Sequence, residues 1–557
     1  MVSEPEGGRR VSLRLLLFAV PFLLVVAAVV WVVVTGLMAR SALNRVRADV
    51  AAVKTGDLSR VPTLLADIRR AHQLSTGPAW AAFARVPYAG APLASVRDMT
   101  AALDRLASAT PAIPDKIDTR SLAVLAPSVH ALLLSTNRTL AAVASAPDHT
   151  WLPAVNSART DLYDKLVTLR SGLQAGDLAL PLLGVDGPKR YFIGIENDAE
   201  ARGLGGLPGS FAIAVVDHGT VRFTHFEPDS ALVGVRSGVD LGAEYRARYG
   251  NSNGLDNYLN STISPNFPYV ARIWAGMWQT KTGEHIDGAI AIDPVALSYF
   301  LAATGPAVMP DGTTVSAGSV VRLTLSTVYQ RFGADQEARK KYLLAIAAAV
   351  QERVVSGPPL ALAKAAARAA ADRRLLVWSA DRSIEARLSG TAVGGQLPAG
   401  ALMGVTVTNA GGNKLDYYLD RTVSYVRTGC GAVNTVLVTM TLHNGAVAGL
   451  PAYVTARSDG HSGDARPGDN RLLVSAYTST GSSLATVTVD GAPVRYWAAP
   501  ELGHPVYTVD LELPRGATRV VRYRYSEPAN GPVATLRQPL VRPLRETETE
   551  PSCRSHG

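Results

Sequence analysis

The sequence predicts an α+β multidomain chain with four parts: an N-terminal transmembrane helix, a helical stalk, an α/β three-layer head and a C-terminal antiparallel β-sandwich. Three observations predict it. A charge-free apolar run, Leu15–Met38, follows Arg9, Arg10 and Arg14. Apolar residues then recur at helical spacing to about residue 176, and strand-like and helix-like runs alternate over 180–380. From about residue 400 the period changes to two.

The run Leu15–Met38 exceeds the ~20 residues that cross a bilayer and the ~7–15 of a signal-peptide core, so it reads as an uncleaved anchor with the membrane lipid as its partner. Three arginines stand before it and one, Arg40, just after. That bias predicts a cytoplasmic tail over 1–14, a span over 15–38 and an extracytoplasmic main body of a single-pass cell-membrane protein. Over 40–178 the stalk is helical: Leu43, Val46, Val50 and Val53 keep one face, as do Leu162, Leu166, Leu169 and Leu173. Breaks fall at Gly77-Pro78, over Pro87 to Pro92, and around Pro111 and Pro114.

The head, 180–398, opens on a strand, Tyr191–Ile195. It ends in Glu196, Asn197 and Asp198, and a polar and glycine-rich loop follows, with Arg202, Gly205, Gly206 and Gly209. Two strands, Phe211–Val216 and Val221–Phe226, are joined by the turn residues Asp217-His218-Gly219-Thr220. Ala271, Trp274, Ala275 and Trp278 share a helix face and read as core. Asp287–Ile292 is a strand, Asp293 an N-cap and Pro294 a helix start. Two Ala-rich helices lie over 334–373, broken at Gly357-Pro358-Pro359, and Leu375–Ser379 is a strand. In the β-sandwich, 400–542, Val436, Val438, Met440 and Leu442 alternate with polar residues, and Asp490-Gly491 signals a hairpin. The polar tail, 543–557, reads as flexible.

At 557 residues the chain is too long for one core, and 47% apolar with 18% charged residues is ordinary for globular domains. The net charge of +9 comes from scattered residues without a dense Lys/Arg run, which argues against nucleic acid as a partner. Cys430 and Cys553 are the two cysteines; the lack of a CxxC and of a Cys/His cluster argues against a zinc site. One disulfide between them or two inert thiols are both open.

The loop after Ile195 offers an arginine, an aspartate and bare backbone amides, the makings of an anion site; a tight structural turn is the alternative. It is neither a Walker A loop nor a dinucleotide fingerprint, since Pro208 stands where the third glycine belongs. No Gly-x-Ser-x-Gly elbow or His-Glu-x-x-His occurs, so no residue is assigned as catalytic. His461-Ser462-Gly463-Asp464 reads as a surface turn, because neighbours in sequence cannot form a catalytic triad.

Several stretches carry a resemblance: GPAWAAFARVPYAGAPLASVR near 77–97, RYFIGIENDAEARGLGGLPGSF, NSTISPNFPYVARIW, DGAIAIDPVALSYFLAATGP, NKLDYYLDRTVSYV and LHNGAVAGLPAYV. In this order they resemble the bacterial membrane-anchored family called domain of unknown function 4012. A fainter similarity reaches the LytR–CpsA–Psr enzymes, which move a polyprenyl-pyrophosphate-linked glycan onto the cell wall. That resemblance sets Asp198 near the first-strand aspartate of those enzymes, Arg202 near a motif arginine, Asp229 on an aspartate and Asn260 near an asparagine. Gly209 and Pro228 stand where a motif aspartate and arginine would be, which weakens magnesium binding and removes a phosphate contact; Arg202 or Arg272 would have to substitute. The expectation is a cell-envelope protein that binds an anionic or lipid-linked glycan, or a partner, through Asp198, Arg202, Gly205, Gly206, Asp229, Asn260 and Arg272. A phosphoglycan transferase using Mg²⁺, and a structural spacer or interaction module, are the alternatives.

Overall fold

The apolar run and the helical pattern behind it form one unbroken helix, α1 (Leu13–Lys54). The computed structural model describes residues 13–55, 57–111, 119–460, 466–528 and 532–550, except the side chains of 13–25, 54 and 119–125. Arg9, Arg10, Pro114, the His461–Asp464 turn and Cys553 lie outside the described residues. Among those described, α1 is the one helix long and apolar enough to cross a membrane.

The chain divides into two compact units, Met1–Pro181 and Leu182–Gly557. In the first, α2 (Val61–Leu74) returns along α1, tied by Arg45–Asp67 at 2.9 Å and Arg60–Asp49 at 3.8 Å. Then come α3 (Pro78–Phe83), α4 (Ala91–Ala109), α5 (Thr119–Ser145) and α6 (Pro153–Leu182). Proline occupies the first turn of α2, α3 and α4, where its missing N–H would go unpaired anyway. Ala102, Leu106, Leu140, Val143 and Leu166 form the core, with a second cluster of Ile68, Leu103 and Ala107 beside Leu43 and Val46.

In the second unit, β1 (Lys189–Ala201), β2 (Gly206–Asp217), β3 (Thr220–Pro228), β4 (Gly288–Ile292) and a later strand build a five-stranded sheet. Between β3 and β4 lie α7 (Ala243–Tyr249) and α8 (Phe267–Thr282). After β4 come α9 (Pro294–Thr304), the small hairpin β5 (Ala307–Val308) and β6 (Thr314–Val315), and the short helices α10 (Val320–Arg322) and α11 (Val328–Phe332). The long helices α12 (Gln336–Val355) and α13 (Pro359–Ala371) lead to β7 (Leu375–Ser379) and α14 (Arg382–Leu388). The sheet order is β3-β2-β1-β4-β7, and only β1 and β4 run parallel. Phe211, Ala212, Ile213 and Ala214 of β2 are all fully buried, the mark of a strand covered on both faces. Trp274 of α8 packs so closely that a Cβ on Gly194 would lie 2.3 Å from its ring, so β1 needs glycine there. Asp293 caps α9, accepting the Ala296 N–H at 2.6 Å.

The rest is mostly strand. β8 (Leu402–Asn409), β9 (Leu419–Thr428) and β10 (Val433–Asn444) precede a helical turn, α15 (Ala452–Thr455). β11 (Asn470–Tyr477), β12 (Ser483–Val489), β13 (Ala492–Pro493), β14 (Trp497–Ala498), β15 (Val506–Leu513), β16 (Thr518–Pro528), β17 (Ala534–Leu536) and β18 (Arg545–Thr549) follow. They form a six-stranded sheet, β13-β12-β16-β10-β9-β18, and a five-stranded one, β14-β15-β11-β8-β17. Val438, Met440, Tyr523 and Tyr525 of the first share one core with Val407, Val474 and Leu511 of the second.

Two expectations change. β1 does not stop at Ile195 but continues through the whole acidic stretch to Ala201, leaving only Arg202–Gly205 as loop. The tail is not free over 545–549: β18 pairs in parallel with β9, because its backbone amides complete an otherwise open edge.

Candidate functional site

The continuation of β1 puts Glu196, Asp198 and Glu200 two residues apart, with Arg202 just past its end, and each is less than 10% exposed. Register shifts between Ile195 and Glu196 and between Asn197 and Ala201 bend this end of the strand away from plain pairing with β2. Four ionisable groups are thereby driven into the space between the first sheet and the later β strands. A buried charge is stable only if paired or neutralised, so each partner decides a protonation state.

Two carboxyls meet one guanidinium. Arg374, at the threshold of β7, approaches Asp293 Oδ2 at 2.5 Å and Asp198 Oδ2 at 3.4 Å, and donates to the Leu540 carbonyl at 2.7 Å. Asp198 Oδ1 and Glu196 Oε1 have no hydrogen-bond partner. Burial pushes the Asp198 carboxyl well above its usual range, and the neighbouring Asp293 adds to this. Burial likewise pushes Glu196 up to about 8, only partly offset by the Gly206 N–H.

The next two groups behave oppositely. Glu200 touches Lys414 and accepts from Arg202 Nη2 at 3.2 Å. Burial works against its charge, but Lys414 and Arg202 outweigh it and hold the carboxyl below its usual range. Arg202 also donates to the carbonyls of Ala201 at 3.0 Å and Asn409 at 3.3 Å, and to Asn260 Oδ1 at 3.4 Å. Asp416 accepts from the Ala201 N–H at 2.7 Å, Asn409 at 2.8 Å and Asn470 at 2.7 Å. Gln538 donates to the Arg202 carbonyl at 2.5 Å and the Val407 carbonyl at 2.7 Å. A second buried joint lies around Glu501, which accepts from Tyr249 at 2.6 Å and Tyr477 at 2.7 Å and also from Ser264. Both clusters link the first sheet's segment to the later strands.

The seven residues expected to form a ligand site are therefore not gathered at one cleft. Arg202 and Asn260 do meet, but inside the protein. The Gly206 amide is occupied by Glu196 Oε2 at 2.9 Å, and a Cβ on Gly205 would lie 2.7 Å from the same oxygen. What the glycine loop cradles is the Glu196 carboxyl of its own strand. Asp198 belongs to Arg374. Asp229 is elsewhere, paired with Lys340 at 2.8 Å, and the exposed Arg272 donates to the Asp240 carbonyl at 2.9 Å. Sequence reasoning missed Glu196, Arg374, Lys414, Asp416 and Gln538 as members of the cluster. The period-two spacing of Glu196, Asp198, Glu200 and Arg202 was the available signal, since it marks one face of a strand.

Among the described residues, no group of three or more His, Cys, Asp or Glu is arranged to hold a metal ion. An open groove of about 470 Å³ lies beside Asp229. Pro228, Ser230, Gln336, Glu337, Lys340, Lys341 and Leu344 line it.

These features define a mixed α/β protein with several sheets, a sealed charge cluster joining two of its parts, and one N-terminal helix fit to cross a membrane. Residues 186–329 match the family described as Protein of unknown function (DUF4012). The segment holds Glu196 to Arg202, the glycine loop and Asp293, while Arg374, Lys414 and Gln538 come from beyond it. No curated protein and no solved structure matches the chain.

Proposed function

We propose that the protein is a single-span, membrane-anchored component of the bacterial cell envelope that works by binding a glycan chain outside the cytoplasm. The observation that carries the binding reading is the groove beside Asp229. Half-buried Pro228 and Leu344 and exposed Ser230, Gln336, Glu337 and Lys341 line it. Sugars present C–H faces and hydroxyl edges, and a lining that mixes apolar and polar groups is the complement of both. Lys340, bridging to Asp229, would meet an acidic substituent of the chain. The anchor reading rests on α1, and the outside placement on the three arginines before the apolar run against one after it. The test is binding of the full chain, in detergent, to a panel of acidic and neutral envelope glycans. Lys340→Ala with Lys341→Ala should lower binding to the acidic members at least tenfold. Unchanged binding by the double variant would exclude the groove.

A second reading, a transferase of LytR–CpsA–Psr type, draws on Glu196 and Asp198, since buried acids with raised proton affinity mark many reactive sites. It requires Mg²⁺-dependent transfer of a polyprenyl-pyrophosphate-linked glycan that Asp198→Asn abolishes.

We also infer that the later strands form a β-sandwich and that Cys430 pairs with Cys553. Among the described residues no cysteine is a free thiol. β18 keeps a constant offset from β9, and Glu550 reaches Arg427 at 2.9 Å, 123 positions away. Arg427 stands three residues before Cys430, and Glu550 three residues before Cys553 in the sequence. Non-reducing mass spectrometry of the full chain should find one linked peptide pair; two alkylatable thiols would end the idea.

A further inference from the structure

The end of the helical unit that carries the loop between α3 and α4 is built unlike its other surfaces. We propose that this tip, residues 84–90 with 148–152, is a membrane-contact surface seated in the headgroup region of the bilayer that α1 crosses. It rests on the reading of α1 as an anchor.

Contacts within the unit fix the height of the tip. Gly36 of α1 lies against Trp80 of α3, with an added Cβ 3.7 Å from the indole ring. Gly77 lies against Trp31, with an added Cβ 3.8 Å from Nε1. Trp80 donates to the Leu93 carbonyl at 3.0 Å, Ser95 to that of Pro147 at 3.1 Å, and Trp151 to that of Ala89 at 3.1 Å. The ends of α2, α4 and α5 and the start of α6 are thus chained to the level of residues 31–36 of α1. That level is the outer end of the apolar run. From Trp31 to Met38 is only ~10 Å of helix.

The side chains at this level are those of a membrane interface. Tyr88 is 81% exposed and Trp151 51%, with Val86 and Leu152 beside them also exposed. On α1, Val30, Trp31, Val33, Leu37 and Met38 are exposed too. Arg85, Asp148 and His149 supply an exposed polar fringe. Tyr88 is held at φ 59°, in the left-handed region that bulky residues avoid, so the turn presents it outward at a conformational cost. Tryptophan and tyrosine concentrate where acyl chains meet headgroups, because one end of the ring system is apolar and the other hydrogen-bonds. Continuity with the exposed apolar face of α1 selects lipid as the occupant.

The test places a photo-crosslinking residue, one position at a time, at Tyr88, Trp151, Val29 and Ser59 of the full chain. Each protein is reconstituted in phosphatidylethanolamine–phosphatidylglycerol vesicles. Val29 reports on the anchor, Tyr88 and Trp151 on the tip, and Ser59 on the opposite end of the unit. The expected result is phospholipid adducts at positions 29, 88 and 151 and none at 59. Adducts at 29 but not at 88 and 151, a crosslinked dimer at 88, or equal adducts at 59 would overturn the tip proposal and leave the anchor standing. No adduct at 29 would overturn the anchor itself.

Discussion

The far end of β1 holds acids of opposite behaviour within five residues. Glu196, Asp198 and Glu200 are all buried, so solvent does not distinguish them. Around the first two, Asp293 adds a third carboxyl, Arg374 pairs with Asp198 and Asp293, and Arg373 acts on Glu196 without an ion-pair contact to it. Around Glu200 stand two cations, Lys414 and Arg202. Glu196 and Asp198 are pushed toward their protonated forms, and Glu200 is held in its charged form. The lesson is that the balance of neighbours sets the state once burial is equal, and that a row of buried acids is not by itself a ligand site.

The sharpest way to break this contrast is to remove a cation from the charged half. Lys414→Met should destabilise the full chain by about 3–5 kcal/mol in denaturant unfolding, because it leaves Glu200 short of a partner. Arg202→Ala should lose a similar ~3–5 kcal/mol. Glu200→Leu combined with Lys414→Met should recover much of the loss; if it does not, the pair is not the cause.

The proton-holding half predicts a pH effect. The Glu196 carboxyl is raised from an ordinary 4.5 to about 8, so the folded chain binds more protons than the unfolded one in that window. Its contribution is complete below about pH 4.5 and is lost as pH rises through about 8, a fall on the order of a few kcal/mol. Glu196→Gln should flatten that part of the stability curve and leave the protein more stable than wild type at pH 9. Parallel curves for the two proteins would place the proton elsewhere.

Crowding the loop should have a smaller effect. Gly205→Ala sets a methyl 2.7 Å from Glu196 Oε2 and should lower stability by ~1–3 kcal/mol, with Gly205→Ala/Glu196→Ala regaining part of it. Smallest of all, Arg272→Ala should stay within about 0.5 kcal/mol of wild type, since this arginine is exposed and holds only one carbonyl. Thermal unfolding of the two arginine variants side by side would separate Arg202 from Arg272.

Much of the architecture was legible because it is written locally. The breaks at Gly77-Pro78 and Gly357-Pro358-Pro359 fall where helices end, and the Asp217–Thr220 and Asp490-Gly491 turns close hairpins. Asp293 and Pro294 gave the start of α9 to the residue. The polar stretch after Ile195 misled because its charges look like loop, whereas distant partners allow them to stay in strand. The tail misled for a related reason: a polar segment on its own has nothing to pair with, and the open edge of β9 is invisible in the local sequence.

Backbone periodicity, turn chemistry and a charge-free stretch thus determined the helices, most strands and the membrane-length helix of this protein, since each depends on residues a few positions apart. The pairing of Arg374 with Asp198 and Asp293, of Lys414 with Glu200, and of Gln538 with the Arg202 carbonyl was decided only by tertiary structure. Those partners are separated by 81 to 336 positions, and a buried charge takes its state from whichever cation the fold delivers to it.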